Sequence, residues 1–170
     1  MVNHSRSERD RRVGVLLHPT ALPDSPVCGS FGRSAREWLK ALSSHGITVW
    51  QILPLAPPDG TGSPYSSPSS FALNPWLLDA EDLAEESFLE SSDLVCLPGA
   101  AAKAESIAEL DFPLADARAA ALARALAVHW PEQSSARQQQ FQRWRVDQAH
   151  WLTDHVNFVV LRAQHNGLPW

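Results

Sequence analysis

The chain of 170 residues is poor in several things at once. Tyrosine occurs once, at Tyr65, methionine once, and cysteine twice, at Cys28 and Cys96. Two cysteines so far apart match neither a metal-ligand spacing nor a small disulfide scaffold, so reduced thiols in a cytoplasmic protein are the simplest reading. An excess of positive charge is missing too. The net charge is −5, which argues against a nucleic-acid partner. Long apolar runs are absent: stretches such as VGVLL are far too short to span a bilayer. Residues 1–12 are polar and Arg-rich without an apolar segment, which excludes a secretory signal and predicts a solvated, disordered tail. His150 and His155 miss the four-residue spacing that would put two ligands on one helix face, and no metal site is expected. No cofactor is expected either.

What is present is enough apolar material, 44% of residues, for a globular core. Tryptophan is abundant, with seven residues. Indole faces suit the apolar C–H faces of sugars, although burial as core or interface anchors accounts for most tryptophans.

Val13-Gly14-Val15-Leu16-Leu17 is a short β-prone run that ends at His18-Pro19 and predicts a buried strand. After a loop punctuated by proline and glycine, Ala35, Trp38, Leu39 and Leu42 fall at helical spacing. Ser34 with Glu37 fits a capping box, and Gly46 fits the position just past the helix end. The run ITVWQILPL then predicts a second strand, ended by Pro54. Strand, helix and strand with continuous apolar strands make a parallel α/β unit, of a doubly wound sheet or of a (β/α) barrel. The first strand is not followed by Gly-x-Gly-x-x-Gly, so the dinucleotide-binding version lacks its fingerprint.

Residues 62–75, GSPYSSPSSFALNP, hold five serines, three prolines and the single tyrosine. The segment follows the second strand, at the edge where parallel α/β folds carry their ligand sites. Beyond Trp76 the chain changes character. EDLAEESFLESSD predicts a short helix or a solvated linker. An Ala-rich helix follows from about Pro113, with Asp111 near its start and Leu114, Ala117, Ala121, Leu122 and Ala125 on one face. A further helical region is expected from about Glu132 to His165, with an apolar stripe of Leu152, Val156, Val159, Val160 and Ala163, and Gly167 as its terminator. The expected organisation is a tail at 1–12, a strand–helix–strand unit with its loop at 13–79, and a mainly helical subdomain at 80–170.

The motifs GVLLHPTALP, VWQILPLAPP and GSPYSSPSSFALNPWLLD resemble, in order and spacing, the N-terminal motifs of the amylomaltase, or 4-alpha-glucanotransferase (disproportionating enzyme), family. The ending WLTDHVNFVVLRAQHNGLPW is similar to the family's Trp-Leu-x-Asp-Tyr-Ala-Leu-Phe helix and its Gly-x-Pro-Trp exit. The match is dense over 13–79 and returns over 151–170; His155, Val156 and Asn157 replace the usual Tyr-Ala-Leu. Gly60-Thr61-Gly62 stands where relatives often carry an aromatic and an acidic residue.

The resemblance implies the N-terminal part of a (β/α)₈ TIM barrel, incomplete in this chain, with a helical inserted subdomain. It implies transfer of α-1,4-glucan segments between maltodextrins, with glycogen and starch-derived oligosaccharides as related partners, by a retaining mechanism. That chemistry needs an Asp nucleophile and a Glu acid/base about 5–5.5 Å apart. The family's pair comes from later strands, so no catalytic residue is expected within these 170 residues and the chain alone is expected to be inactive. Ser63 and Tyr65 match residues that line the family's glucan cleft; the bland alternative is a turn whose tyrosine fills a gap. Pro64 and Pro68 would stiffen this loop. His18 at the strand end reads more simply as a hydrogen-bonded packing residue than as a catalytic one. Asn74 reads as a turn former and Asp59 as a solvated carboxylate. A different class, a non-catalytic glucan-binding or protein-interaction module, fits the same residues.

Overall fold

The computed structural model describes residues 12–23, 27–101 and 110–165. The expected tail, apart from Arg12, and the terminating Gly167 with the Gly-x-Pro-Trp exit lie outside the described residues.

Strand β1 (Gly14–Leu16) pairs in parallel with β2 (Val49–Gln51), in the register Gly14 to Val49 and Leu16 to Gln51. Between them runs α1 (Arg33–Ser44). The strand–helix–strand order therefore stands, but the strands are not buried. Leu16 is 55% exposed and Val13 66% exposed. Among the described residues the sheet has two strands, so each apolar strand lacks the neighbours that would cover it.

Helix α1 starts differently from expectation. Its N-cap is Gly32, which has no side chain to donate to, and Ser34 lies inside the first turn. The Ser34–Glu37 capping box is therefore not formed. The end is as expected: Gly46 has φ +71°, the left-handed conformation that closes many helices. Ala35 and Leu42 are buried, whereas Leu39 is exposed.

The acidic stretch after Trp76 folds as two helices, α2 (Ala80–Glu85) and α3 (Ser91–Cys96). It is no solvated linker. Ala80, Leu89 and Leu97 join Leu122 in a buried cluster, with Leu83, Leu94 and Leu126 packed around it. Helix α4 (Phe112–His129) supplies Leu122. Asp111 caps α4, its carboxylate accepting from the Leu114 N–H at 2.9 Å, as expected. The expected face is largely the one turned inward: Leu122 is buried and Leu114, Ala121 and Ala125 are half-buried, but Ala117 is exposed and Ala115 is buried instead. Trp76 stacks on Phe112 at 5.7 Å and donates from Nε1 to Asp116 at 2.8 Å, so the 3₁₀ turn Pro75–Leu77 packs on the first turns of the helix.

The helical region expected from about Glu132 to His165 consists of two helices, α5 (Ser135–Asp147) and α6 (Ala149–Gln164), meeting at Gln148. The expected stripe on α6 is largely open, with Val156, Val159 and Val160 about half exposed.

Helices α3 and α4 are clasped by charge. His129, in the last turn of α4, lies 2.8 Å from Asp93 through Nε2 and 3.5 Å from Glu132 through Nδ1. The Asp93 hydrogen bond raises the His129 pKa above 6.5. Asp93 also accepts from the Glu90 N–H, the main cause of its own pKa falling below 3.8. A raised His pKa contributes stability that is whole below the unfolded value and is lost as pH rises through the folded one. The urea midpoint of the protein should thus fall as pH climbs from 6.5 upward through the folded pKa of His129. Asp93→Asn should lack this step; the same step in that variant would assign it to another group.

Candidate functional site

Both strands of a parallel pair end on one edge, and here that edge is built by His18 and Pro54. The Leu17 N–H donates to the Gln51 carbonyl at 3.1 Å, one residue past the ladder. His18 then caps the 3₁₀ turn Pro19–Ala21: its Nδ1 accepts from the Thr20 N–H at 3.3 Å and lies 2.8 Å from the Thr20 hydroxyl. With Nδ1 accepting, the ring proton sits on Nε2, which donates to the Pro54 carbonyl at 3.4 Å. Burial lowers the His18 pKa, against a smaller opposing effect of that carbonyl. The imidazole is neutral, with both nitrogens engaged. It brackets the two strand ends and is not poised as a base.

The chain between Leu55 and Asn74 forms a closed loop over this edge. Its base is tied by the Asn74 N–H donating to the Leu55 carbonyl at 2.7 Å. Asn74 is buried, and its Oδ1 accepts from the Trp76 N–H at 3.0 Å, so it forms the turn that ends the loop. The loop is pinned across its middle by the Asp59 N–H donating to the Ser66 carbonyl at 2.8 Å. Asp59 is not simply solvated: its carboxylate accepts from the Thr61 hydroxyl at 2.5 Å and the Thr61 N–H at 2.9 Å. The hydroxyl first, then the amide, hold its pKa below the usual carboxylate range.

The serines serve this same framework. Ser69 Oγ accepts from the amides of Phe71 and Ala72 at 3.2 and 3.0 Å. Ser67 Oγ accepts from the Ser69 amide and donates to its carbonyl. Ser63 Oγ accepts from the Tyr65 N–H at 3.3 Å, and a turn closes from the Ser66 N–H to the Ser63 carbonyl. An irregular segment must satisfy its own backbone groups, and hydroxyls placed two residues before an amide do so. Among the described residues the Ser63 O–H donates to no acceptor, which leaves it available. Tyr65, held on this turn, is 73% exposed and fills no gap beneath the loop.

Helix α6 touches the far side of the loop. Phe71 stacks on Trp151 at 5.7 Å and meets the edge of His150 at 6.0 Å. A cavity of about 50 Å³ lined by Trp76, Cys28, Ser30, Asp79 and Arg118 among others is too small for a glucose ring, whereas a more open groove of about 420 Å³ runs along Leu73, Asn74 and Pro75 at the end of the loop. Burial pushes the Cys28 thiol up to about 11, which leaves it unreactive. Among the described residues no three His, Cys, Asp or Glu converge as metal ligands would, and no helix is long and apolar enough to cross a membrane.

The geometry therefore brings Ser63 and Tyr65 together on one fixed turn at the strand-end edge, with His18 and Asn74 as supports. Sequence reasoning missed Trp76 and Asp116 as supports. The only local signal was an aromatic residue directly after Asn-Pro.

The fold is one already seen. The amylomaltase from Streptococcus agalactiae in complex with acarbose superposes with a TM-score of 0.76 over 93% of this chain and 31% of that one, at 23% identity. The chain belongs to the 4-alpha-glucanotransferase family, whose model matches residues 17–170. The 4-alpha-glucanotransferase of Thermus thermophilus is 37% identical over 164 residues, covering 96% of this chain and 31% of that enzyme. That of Synechocystis sp. is 36% identical over 163 residues, covering 95% and 31%. The chain thus spans about a third of the length of these relatives.

Removing the strand-end bracket tests its structural weight. His18→Phe leaves the Pro54 carbonyl and the Thr20 amide to water and should reduce unfolding free energy by about 0.5–1.5 kcal/mol. The expected reading is a lower urea midpoint at unchanged slope. An unchanged midpoint would show that the bracket holds nothing.

Proposed function

We propose that this chain supplies the glucan-contacting front of a 4-alpha-glucanotransferase, its two strands being the first of a (β/α)₈ barrel and its helices an inserted subdomain. One observation carries the reading. In a member of this family, the single tyrosine stands exposed on a rigid turn at the strand-end edge, beside a hydroxyl with an available proton. The ligand is an α-1,4-glucan such as a maltodextrin, glycogen or a starch-derived oligosaccharide. Tyr65 offers a ring face to the apolar side of a glucose unit. Ser63 donates to a sugar oxygen. Loop order achieved before the ligand arrives reduces the entropy lost on binding. The free thiols Cys28 and Cys96 suit a cytoplasmic setting.

Retaining transfer requires a carboxylate nucleophile and a carboxylic acid on opposite faces of the scissile bond. Neither Ser63 nor Tyr65 can serve as either. Incubated with maltotriose, the 170-residue chain alone should release no glucose above a protein-free control. Disproportionation that scales with chain concentration and survives repurification would overturn this.

Tyr65 is the sharper test. If its ring stacks on a sugar, Tyr65→Ala should weaken maltoheptaose binding more than Tyr65→Phe, because Phe keeps the face. By analogy with aromatic pairs the face contributes roughly 0.5–1.5 kcal/mol, or about a two- to twelve-fold change in Kd. Equal affinities for wild type and Tyr65→Ala, measured by calorimetry or ligand-detected resonance, would remove Tyr65 from the site.

A further inference from the structure

We propose that Phe112, on the first turn of α4, is the positioning residue of the Ser63–Tyr65 turn; the inference rests on the glucan reading of that turn. Its basis is a close approach that only glycine permits. Gly62 has φ +73°, in the left-handed region, and a Cβ built there would lie 2.1 Å from Phe112 Cζ and 2.6 Å from both Cε atoms. The tip of the phenyl ring therefore abuts the Gly62 backbone, immediately before Ser63. No side chain fits between them.

The ring is itself immobilised. Trp76 stacks on its face at 5.7 Å with an interplanar angle of 15°. The Trp76 indole N–H donates to Asp116 at 2.8 Å, and Asp116 lies one helical turn beyond Phe112 on the same face of α4. Asp111 caps the helix just before Phe112, which fixes where α4 begins. Trp76 in turn follows Asn74, whose N–H closes the loop onto Leu55. Both the Gly62 end and the Asn74 end of the loop are thus referred to one turn of one helix. The Phe112 ring is the part that touches the segment bearing Ser63 and Tyr65. Loss of that ring leaves the Asn74 tie intact and frees the Gly62 side, which makes the presentation of Tyr65, more than the overall fold, the property that Phe112 controls.

The single tyrosine makes this directly measurable. The full 170-residue chain labelled with 3-fluorotyrosine carries one ¹⁹F resonance, that of Tyr65. In wild type it should be distinct from the resonance of the urea-unfolded chain. Phe112→Ala should move and narrow it toward the unfolded position, and Phe112→Tyr should restore it. Trp144→Ala, which removes an exposed ring stacked on Phe141 in α5, should leave it in place. Gly62→Ala leaves α4 untouched and must also move the line, because its methyl group collides with the ring. Combining it with Phe112→Ala should shift the line by less than the sum of the two, since the collision partner is gone. A Tyr65 line unmoved by Phe112→Ala or by Gly62→Ala, or a wild-type line coincident with the unfolded one, would overturn the proposal. Added maltoheptaose separates the two readings. No movement of the wild-type line with glucan would sink the glucan site yet leave the Phe112 seat standing, whereas a glucan shift with an inert Phe112→Ala would do the reverse.

Discussion

The carboxylate of Asp79 holds together three parts of the chain that are far apart in sequence. One oxygen accepts from the Ser30 hydroxyl at 2.5 Å, and the other caps α2 through the Asp82 N–H at 3.0 Å. The same group lies so close to Gly32 that a Cβ there would meet its Oδ2. Gly32 is the N-cap of α1, which brings no capping side chain of its own. A carboxylate set against the first turn of a helix is favoured by the unpaired amides and the dipole at that end. Asp79 therefore packs against the start of α1 from 47 residues away, while it caps α2 locally. Around it the Phe31 N–H donates to the Leu77 carbonyl, and Arg36 of α1 forms a bidentate pair with Asp82 at 2.5 and 2.8 Å. Because α1 connects β1 to β2, this junction holds the helix that links the two parallel strands. Ser30 is buried, so without Asp79 its hydroxyl would lack an acceptor, at a cost of about 1–3 kcal/mol.

The loop over the strand ends follows a different logic. It has no ladder and no helix to satisfy its amides, so its short polar side chains do so. Ser67 and Ser69 accept from loop amides in that way, Ser67 also donating to a carbonyl, and Asp59 with Thr61 fixes the other limb. The wealth of hydroxyls in GSPYSSPSSF is thus chiefly a means of stiffening. What the loop presents outward is Tyr65 with the exposed Ser66 and Ser70, and the half-buried Ser63 hydroxyl beside them. A rigid frame offering few groups is suited to an extended sugar chain, whose units are gripped by an apolar face and a few well-placed hydrogen bonds.

Local rules were legible where the partner groups are close in sequence. Asp111 capping α4, Gly46 closing α1 and the order of strand, helix and strand all follow from signals within a few residues. The motifs around His18, Pro54 and Ser63 were enough to indicate the family. The start of α1 was not legible, because its N-cap is Gly32, set against Asp79 from a distant segment, and not Ser34. The break at Gln148 carries neither proline nor glycine. Its signal is a side-chain bond, Gln148 Oε1 accepting from Trp151 at 2.8 Å. Strand burial was misjudged because an apolar run states what a strand would tolerate as neighbours, not which neighbours are present.

These observations change the status of the helical segment after residue 80. By composition it reads as an insertion beside the site. In the fold it reaches the loop twice: α4 sets Phe112 against Gly62, and α6 stacks Trp151 on Phe71. The two contacts lie on either side of Tyr65 in sequence. A rigid body displacement of α4 relative to α6 would therefore strain the loop between two anchors and not carry it along. Close-packed aromatic contacts have little slack, since a gap of under an ångström already forfeits a quarter to a half of the attraction. The helical segment thus sets the position of the tyrosine as firmly as the strands beneath it do, and changes in its packing reach the presented ring through two stacked pairs without any residue of the loop being altered.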